Sequence, residues 1–429
     1  MSGSFSFVHA ADLHLDSTFR GFAQIAEGDE LVRQNVLTQL RNCTFIALDN
    51  IVEACLQNKV DFLLLAGDIF DLADRSLRAQ FFFREAMVKL AQRGIRVFVV
   101  WGNHDHDEGL RAQLSWPENV HFFASGEVEY SAVERQGREI ARVYGISYPR
   151  RDVAENYARR FLCHPESPFS IGVLHCNVGG VAGHENYAPC QLDDLLKSRF
   201  DYWALGHVHA RRVLKDNHPC IVYPGNPQGR HPREGAEKGC YLVKVAGNGL
   251  INLQFLPVDT VRWREINVSI TGMVNEDDLL RGLENRLQEV QARHPGRSVV
   301  VRIRLSGRSP LHKRLQNEAT INDLLGELRA RFAPARGNFL WPESICGQTG
   351  IPVAQETIRR SQTLLGDLLL LSREALTNDD LRARLQQALS PLAEGAGYRL
   401  PLPAGEEFAD LLAAAEELAV DLLWEEEQQ

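Results

Sequence analysis

The sequence predicts an α/β fold: a layered domain with a site along one rim, a smaller α+β unit after it, and an acidic C-terminal helix. Three observations carry this reading. Continuous apolar runs (VDFLLLAGD, IRVFVVWGNHD, FSIGVLHCN, DYWALGHVH) each stop abruptly in a polar motif, as strands buried on both faces do. After Pro257 the pattern changes to alternating strands and helices that carry no such motifs. From Gly405 onward the chain is acidic and amphipathic.

Taken in order, SFSFVHAA (4–11) reads as a strand that ends where Asp12 begins a loop. Residues 30–58 read as a helix, because Val32, Val36, Leu40, Cys43, Ala47, Ile51 and Cys55 recur at three- and four-residue intervals. Helices over 75–93 and 190–199 separate the later strands, whose C-terminal ends carry the polar motifs, where α/β proteins place their sites. Beyond Pro257, VRWREINVSI and SVVVRIRLSG read as strands and 275–293 and 312–333 as helices, with NFLWP as a closing strand and helices over 355–392. The expected domains are therefore 1–258, 259–392, and a Pro/Gly-rich linker with a helix over 393–429.

Composition narrows the class. Hydrophobic residues are 44% and charged residues 24% of the 429, ordinary values for a globular protein of two or three domains. The first residues lack a basic region followed by an apolar run, so no secretory signal is expected. The densest apolar run, Leu364–Leu371, is interrupted by Asp367 and too short to cross a bilayer. Eight cysteines without a CxxC pair do not read as a disulfide framework, and a reducing cytoplasm fits them. Residues 405–429 hold nine acidic side chains and no Lys or Arg, which accounts for the whole net charge of −9. A neutral body argues against a broad electrostatic grip on nucleic acid, but not against a site that meets phosphate locally.

The strand-end motifs are Asp12-x-His14, Gly67-Asp68-x-x-Asp71, Gly102-Asn103-His104-Asp105, the lone His175, and Gly206-His207-x-His209. Singly, each reads as a turn, a cap or a buried histidine. Jointly, each after an expected strand, they supply the carboxylate oxygens, amide oxygen and imidazole nitrogens that divalent cations take. Two ions about 3.5–4 Å apart need a bridging ligand. The two carboxylate oxygens of Asp68 suit that place. No cysteine joins the set, which disfavours a structural zinc site.

These motifs resemble the calcineurin-like metallophosphoesterases and, within them, the SbcD-type DNA repair nucleases. The fuller stretches HAADLHLDSTFRG, HENYAPC and YPGNPQGRHPRE are most similar to the YhaO-like branch. The resemblance is specific across residues 5–235. It implies an α-β-β-α sandwich with a capping domain. It also implies one ion held by Asp12, His14, Asp68 and His209, and another by Asp68, Asn103, His175 and His207. His104 would face the leaving group, oriented by Asp71. Asp16 stands where many SbcD-like nucleases have glycine, a departure shared with the YhaO-like branch. Protein serine/threonine phosphatases carry GDxxDRG and GNHE, whereas this chain has GDIFDLA and GNHD.

The expected function is metal-dependent phosphodiester hydrolysis, by a DNA repair exonuclease subunit acting on DNA ends or single strands with an SMC-like coiled-coil ATPase. The alternative is a small-molecule phosphodiesterase or phosphatase, such as one acting on cyclic nucleotides. The length beyond residue 260 favours the nuclease. The mixed ligand set and the resemblance point to two manganese ions, with iron and zinc as alternatives. His184, Asn226, Arg230 and His231 are candidate substrate contacts. In the tail, Phe408, Leu411, Leu412, Ala415, Leu418, Ala419, Leu422 and Leu423 form one apolar stripe. The stripe is read as the ATPase-docking helix, one that need not pack on its own body. Closing a core within the chain and forming a homodimer are its other readings.

Overall fold

The computed structural model describes residues 3–17, 30–71, 76–108, 114–181, 185–352, 358–360, 362–394 and 405–423. These fall into two compact units. One comprises Met1–Glu265, Gln291–Arg302 and Arg329–Glu343, and the other Ile266–Val290, Ile303–Leu328 and Ser344–Gln429.

The first unit opens with β1 (Phe5–Ala10), α1 (Glu30–Asn58), β2 (Phe62–Ala66), α2 (Leu77–Ala91), β3 (Arg96–Val100) and β4 (Val120–Phe122). It continues with β5 (Glu129–Arg135), β6 (Arg138–Gly145), β7 (Ser170–His175), α3 (Leu192–Lys197), β8 (Tyr202–Gly206), β9 (Arg212–Lys215), β10 (Cys220–Tyr223), β11 (Gly239–Val245) and β12 (Ile251–Pro257). Two six-stranded sheets result, ordered β12-β11-β1-β2-β3-β4 and β5-β6-β7-β8-β10-β9. β1 to β4 run parallel, and so do β6, β7, β8 and β10.

The two-residue side-chain period of a strand builds the layers. Val8, Ala10, Leu63, Leu65, Val97 and Val99 pack against α1 and α2, while Phe5, Phe7, Phe62, Leu64, Ala66 and Phe98 meet Ile171, Val173, Tyr202 and Ala204 of the second sheet. Phe7 stacks on Phe62 at 4.9 Å, and Tyr202 meets Phe7 edge-on at 5.2 Å. Truncating one such leucine to alanine costs about 2–5 kcal/mol. On the outer face of the second sheet, Leu174, Trp203 and Leu205 are covered by Tyr148, Tyr157, Phe161, Leu195 and Phe200. That fourth layer is built from the short α3, a single turn of 3-10 helix and loops.

The chain goes on through β13 (Val261–Ser269), α4 (Glu276–Ala292), β14 (Ser298–Arg308), α5 (His312–Leu315), α6 (Glu318–Phe332) and β15 (Leu340–Gly350), whose strands pair in the order β13-β14-β15. Within the first unit, Val261, Trp263, Val300, Phe339 and Trp341 pack with Val36, Leu40 and Cys43 of α1. The second unit ends with α7 (Leu364–Thr377), α8 (Asp379–Glu394) and α9 (Glu406–Leu423). The helix expected over 312–333 is broken at Asn317, and the helices expected over 355–392 divide at Asn378. The Asn317 side chain accepts from the amide of Ala319, and that of Asn378 from Asp380 and Leu381, satisfying the exposed donors of a new helix start.

The tail departs from its expectation. α9 packs on its own unit: Val420 joins Ile351, Ile358, Leu365 and Leu369 in one core. Two of its acids are held there as well. Glu416 accepts from Arg359 at 3.0 Å, and Asp421 accepts from Arg308 at 2.8 Å and from the amide of Ile351 at 3.2 Å. The single stripe read from the sequence thus divides. Phe408 and Val420 are buried, whereas Leu411, Ala415, Leu418 and Leu422 are exposed at four-, three- and four-residue spacing.

Candidate metal centre

The centre lies at the C-terminal ends of β1, β2, β3, β7 and β8, where the backbone must turn sharply to aim side chains back over the sheet edges. Asp12, His14, Asp68 and His207 all have positive φ, at 55°, 42°, 53° and 94°. That region is unfavourable for non-glycine residues and persists only where the surroundings impose it. Here amides of one loop bond carbonyls of the next: Asp12 to Gly67, His14 to Asp68, and Leu15 to Ile69, each at 3.0 Å. The buried Asp105 carboxylate fastens a third loop, accepting from the amides of Gly102 (2.7 Å), Ile69 (2.6 Å) and Phe70 (3.3 Å). Burial and the nearby Asp68 push its carboxyl up to about 7.

Three glycines make room for His175. A Cβ on Gly102 would lie 2.3 Å from an Asp68 oxygen and 2.9 Å from the His175 ring. One on Gly67 would lie 2.3 Å from His175 Nδ1, and one on Gly206 only 1.8 Å from the Ala66 carbonyl oxygen. The glycines of the three motifs are therefore space requirements of this imidazole together with the Asp68 carboxylate and the Ala66 carbonyl beside it.

Hydrogen bonds fix which ring nitrogen faces inward. His175 Nδ1 donates to the Ala66 carbonyl (3.0 Å), which leaves Nε2 aimed at Asn103 Oδ1 (2.9 Å) and Asp68 (3.4 Å). His209 Nδ1 bonds Glu234 (2.8 Å), which turns its Nε2 towards His14 Nε2 at 3.3 Å. His207 Nε2 donates to the Glu185 carbonyl (2.7 Å), and its amide donates to Asp12 (2.9 Å). Ligand atoms of Asp12, His14 and His209 lie within 4.8 Å of one another, as do those of Asp12, Asp68 and His175, and of His14, Asp68 and His104. His207 joins none of these groups; its ring centroid lies 5.2 Å from that of His175.

This donor set fits divalent cations. Oxygen and nitrogen ligand atoms converge here, and two buried carboxylates, Asp12 and Asp68, have only imidazoles as ion-pair partners among the described residues. Burial raises Asp12, with Asp68 adding to it. Burial acts on Asp68 in the same sense, but His175, His14 and His104 hold it well below the ordinary range. Burial lowers His175, yet Asp68 and Asp12 drive it up to about 9. A positive charge is what this cluster demands.

At the rim, His104 Nδ1 bonds Asp71 at 3.0 Å, and the His104 amide donates to Asp68 at 3.0 Å. Asp16 in turn accepts from the amide of Asp71 at 2.6 Å. Of the candidate substrate contacts, Arg230 donates to Ser17 (2.8 Å), and Asn226 is buried with its side-chain nitrogen on Gln228 and Glu234. His231 accepts from the amide of Arg233, capping a short turn. His184 lies outside the described residues. Sequence reasoning missed Glu234, Lys238 and the fastening role of Asp105. Asp105 and Glu234 carried a visible signal, as the last letters of GNHD and of YPGNPQGRHPRE; Lys238 carried none.

Comparison with known proteins agrees with this geometry. The calcineurin-like phosphoesterase family matches residues 5–211, and the middle domain of metallophosphoesterase YhaO matches residues 263–350. The chain belongs to the calcineurin-like metallophosphoesterases, in their YhaO-like branch. It is 40% identical over 344 residues to the metallophosphoesterase YhaO of Bacillus subtilis (strain 168), covering 80% of this chain and 82% of that protein. The DNA double-strand break repair protein Mre11 of Sulfurisphaera tokodaii is 27% identical over 54% of this chain and 61% of its own length. The SbcD component of the nuclease SbcCD from Bacillus subtilis is 24% identical over 51% of this chain and 61% of its own length. No helix among the described residues is long and apolar enough to cross a membrane.

Proposed function

We propose that this metallophosphoesterase is a nuclease that cleaves phosphodiester bonds at DNA ends or in single strands, as one subunit of a complex with a coiled-coil ATPase. The observation that carries the reading is the convergence of Asp12, His14, Asp68, His175 and His209 beside a histidine held by its own carboxylate. Asp12, His14, Asp68 and His209 would hold one ion, and Asp68, Asn103, His175 and His207 the other, with Asp68 shared. Two divalent ions, manganese by their mixed oxygen and nitrogen donors, would supply an activated water and charge stabilisation for the phosphate oxygens. His104, its Nδ1 engaged by Asp71, presents Nε2 to the leaving group and stabilises or protonates the departing sugar oxygen. Arg230, partly exposed in the loop after β10, would meet the substrate there, whereas Asn226 is fully buried and holds Glu234. The relatives named for DNA break repair and nuclease activity support DNA over a small molecule, as does the second unit, for which a small-molecule hydrolase has little use.

The test is manganese-dependent hydrolysis of linear duplex and single-stranded DNA, bis-p-nitrophenyl phosphate and cyclic nucleotides by the purified protein, alone and with its ATPase. Cleavage of both DNA and the small diester is expected. Turnover of cyclic nucleotides with no DNA cleavage under either condition would replace the nuclease by a small-molecule phosphodiesterase.

A further inference from the structure

Outside the predicted ligand set, one carboxylate is joined directly to a ligand candidate. Glu234 ends a three-residue turn, Pro232–Glu234, that is held by the chain's own groups: Pro232 starts it, His231 Nδ1 accepts from the amide of Arg233 (3.1 Å), and the Glu234 amide donates to the His231 carbonyl (2.8 Å). The turn delivers the Glu234 side chain to His209, 25 residues earlier, with Oε1 at 2.8 Å from Nδ1. Its other oxygen is also engaged, accepting from the Arg230 amide (2.7 Å) and the Asn226 side-chain nitrogen (3.1 Å). The same loop grips the His209 backbone. Lys238, buried, donates from Nζ to the His209 carbonyl at 2.7 Å, and the Asn226 amide reaches that oxygen at 3.4 Å. This close approach needs Gly225, at φ 76°, where a Cβ would stand 2.7 Å from the His209 carbonyl oxygen.

We propose that Glu234 is a positioning residue for one of the two ions: it fixes the tautomer and angle of His209 so that Nε2 is the donor, and ties that donor to the loop carrying Arg230 and Asn226. The inference rests on the metal reading above but not on the choice of substrate. Without Glu234, His209 can rotate about χ2 or place its proton on Nε2, and either change removes a lone pair from the ion. A carboxylate on the far nitrogen also makes Nε2 a stronger donor, and loss of such partners typically lowers metal affinity about 10–100-fold. His175, held by the Ala66 carbonyl, and His207, held by the Glu185 carbonyl, do not depend on Glu234, so the second ion is spared.

The experiment is calorimetric titration of the metal-stripped full chain with manganese(II), parent against Glu234→Ala and Glu234→Gln, with bound metal counted by elemental analysis. The parent should bind two ions. Glu234→Ala should weaken one of them about 10–100-fold and leave the other unchanged. Glu234→Gln, which keeps an acceptor oxygen but not the charge, should weaken the same ion by less. Parent affinities at both sites in both variants would overturn the proposal, as would equal weakening of both ions. Should Glu234→Ala not fold, Glu234→Gln decides alone, and two parent-like affinities overturn it. The titration uses no substrate. A parent that binds two ions and cleaves no phosphodiester would therefore sink the nuclease reading while leaving Glu234 standing.

Discussion

Replacing Asp71 by asparagine and His104 by alanine, singly and together, separates a leaving-group acid from a metal ligand. His104 Nδ1 and Asp71 Oδ1 are 3.0 Å apart, with side chains 33% and 22% exposed. A hydrogen bond with one charged partner contributes about 1.5–3 kcal/mol, and partial exposure to water places this one near the lower end. Asparagine keeps an acceptor oxygen but loses the charge, so about 1.4 kcal/mol of transition-state stabilisation is at stake, roughly tenfold in kcat. His104→Ala removes the group itself and should lower kcat on the order of 10²–10⁴-fold. Because Asp71 acts through His104, adding Asp71→Asn to His104→Ala should cost nothing further. The assay is manganese-dependent hydrolysis of bis-p-nitrophenyl phosphate, with bound metal measured on the same preparations. Ligand atoms of His104, His14 and Asp68 lie within 4.8 Å of one another, so the competing role is geometrically real. Loss of an ion from His104→Ala, or additive losses in the double variant, would refute the assignment.

Asp68→Ala should lose both ions and all hydrolysis, whereas Asp12→Ala or His207→Ala should each weaken mainly one; elemental analysis of Asp68→Ala showing two bound ions would remove it from the bridging place. Gly206→Ala puts a methyl 1.8 Å from the Ala66 carbonyl oxygen and 2.9 Å from His175 Nδ1. It should destabilise the fold by about 1–3 kcal/mol and lower metal occupancy, read by thermal unfolding and elemental analysis; full occupancy would show that the cradle is not tight. Changing Leu411, Leu418 and Leu422 together to glutamate should leave thermal stability and small-diester hydrolysis unchanged, since these side chains are 44%, 60% and 64% exposed. If the proposed coiled-coil ATPase docks here, the same triple variant should abolish its capture in a pull-down, and normal capture would exclude this face as the docking seam.

Much of this was legible in the sequence because strands buried on both faces leave an unmistakable trace. FLLLA and RVFVV are apolar at every position but the arginine that opens the second, and the trace ends where Gly67 and Gly102 begin the site. α1 was readable to its ends, since Val36, Leu40, Cys43, Ala47, Ile51 and Cys55, all buried, recur at three- and four-residue spacing. The strands β5, β9 and β12 were not, because each has a solvated face or little length and its alternation resembles that of a loop. The contacts of Glu234 and Lys238 were hidden for a different reason: they reach His209 across 25 and 29 residues, a distance at which local pattern carries no information. In α9 the periodicity was right and its meaning incomplete. Apolar residues lie on both sides of the helix, and the buried side is selected by Arg308 and Arg359 meeting Asp421 and Glu416, 113 and 57 residues away.

Backbone conformation ties the site to the fold more closely than the ligand list does. Eight non-glycine residues among those described have positive φ, and four of them are Asp12, His14, Asp68 and His207. Each such residue costs on the order of 1–3 kcal/mol, so the four together absorb several kcal/mol of folding free energy. The loop-to-loop hydrogen bonds, the Asp105 carboxylate on three amides and the buried strands behind them oppose that strain. The polypeptide thus holds its lone pairs in place at the expense of its own stability.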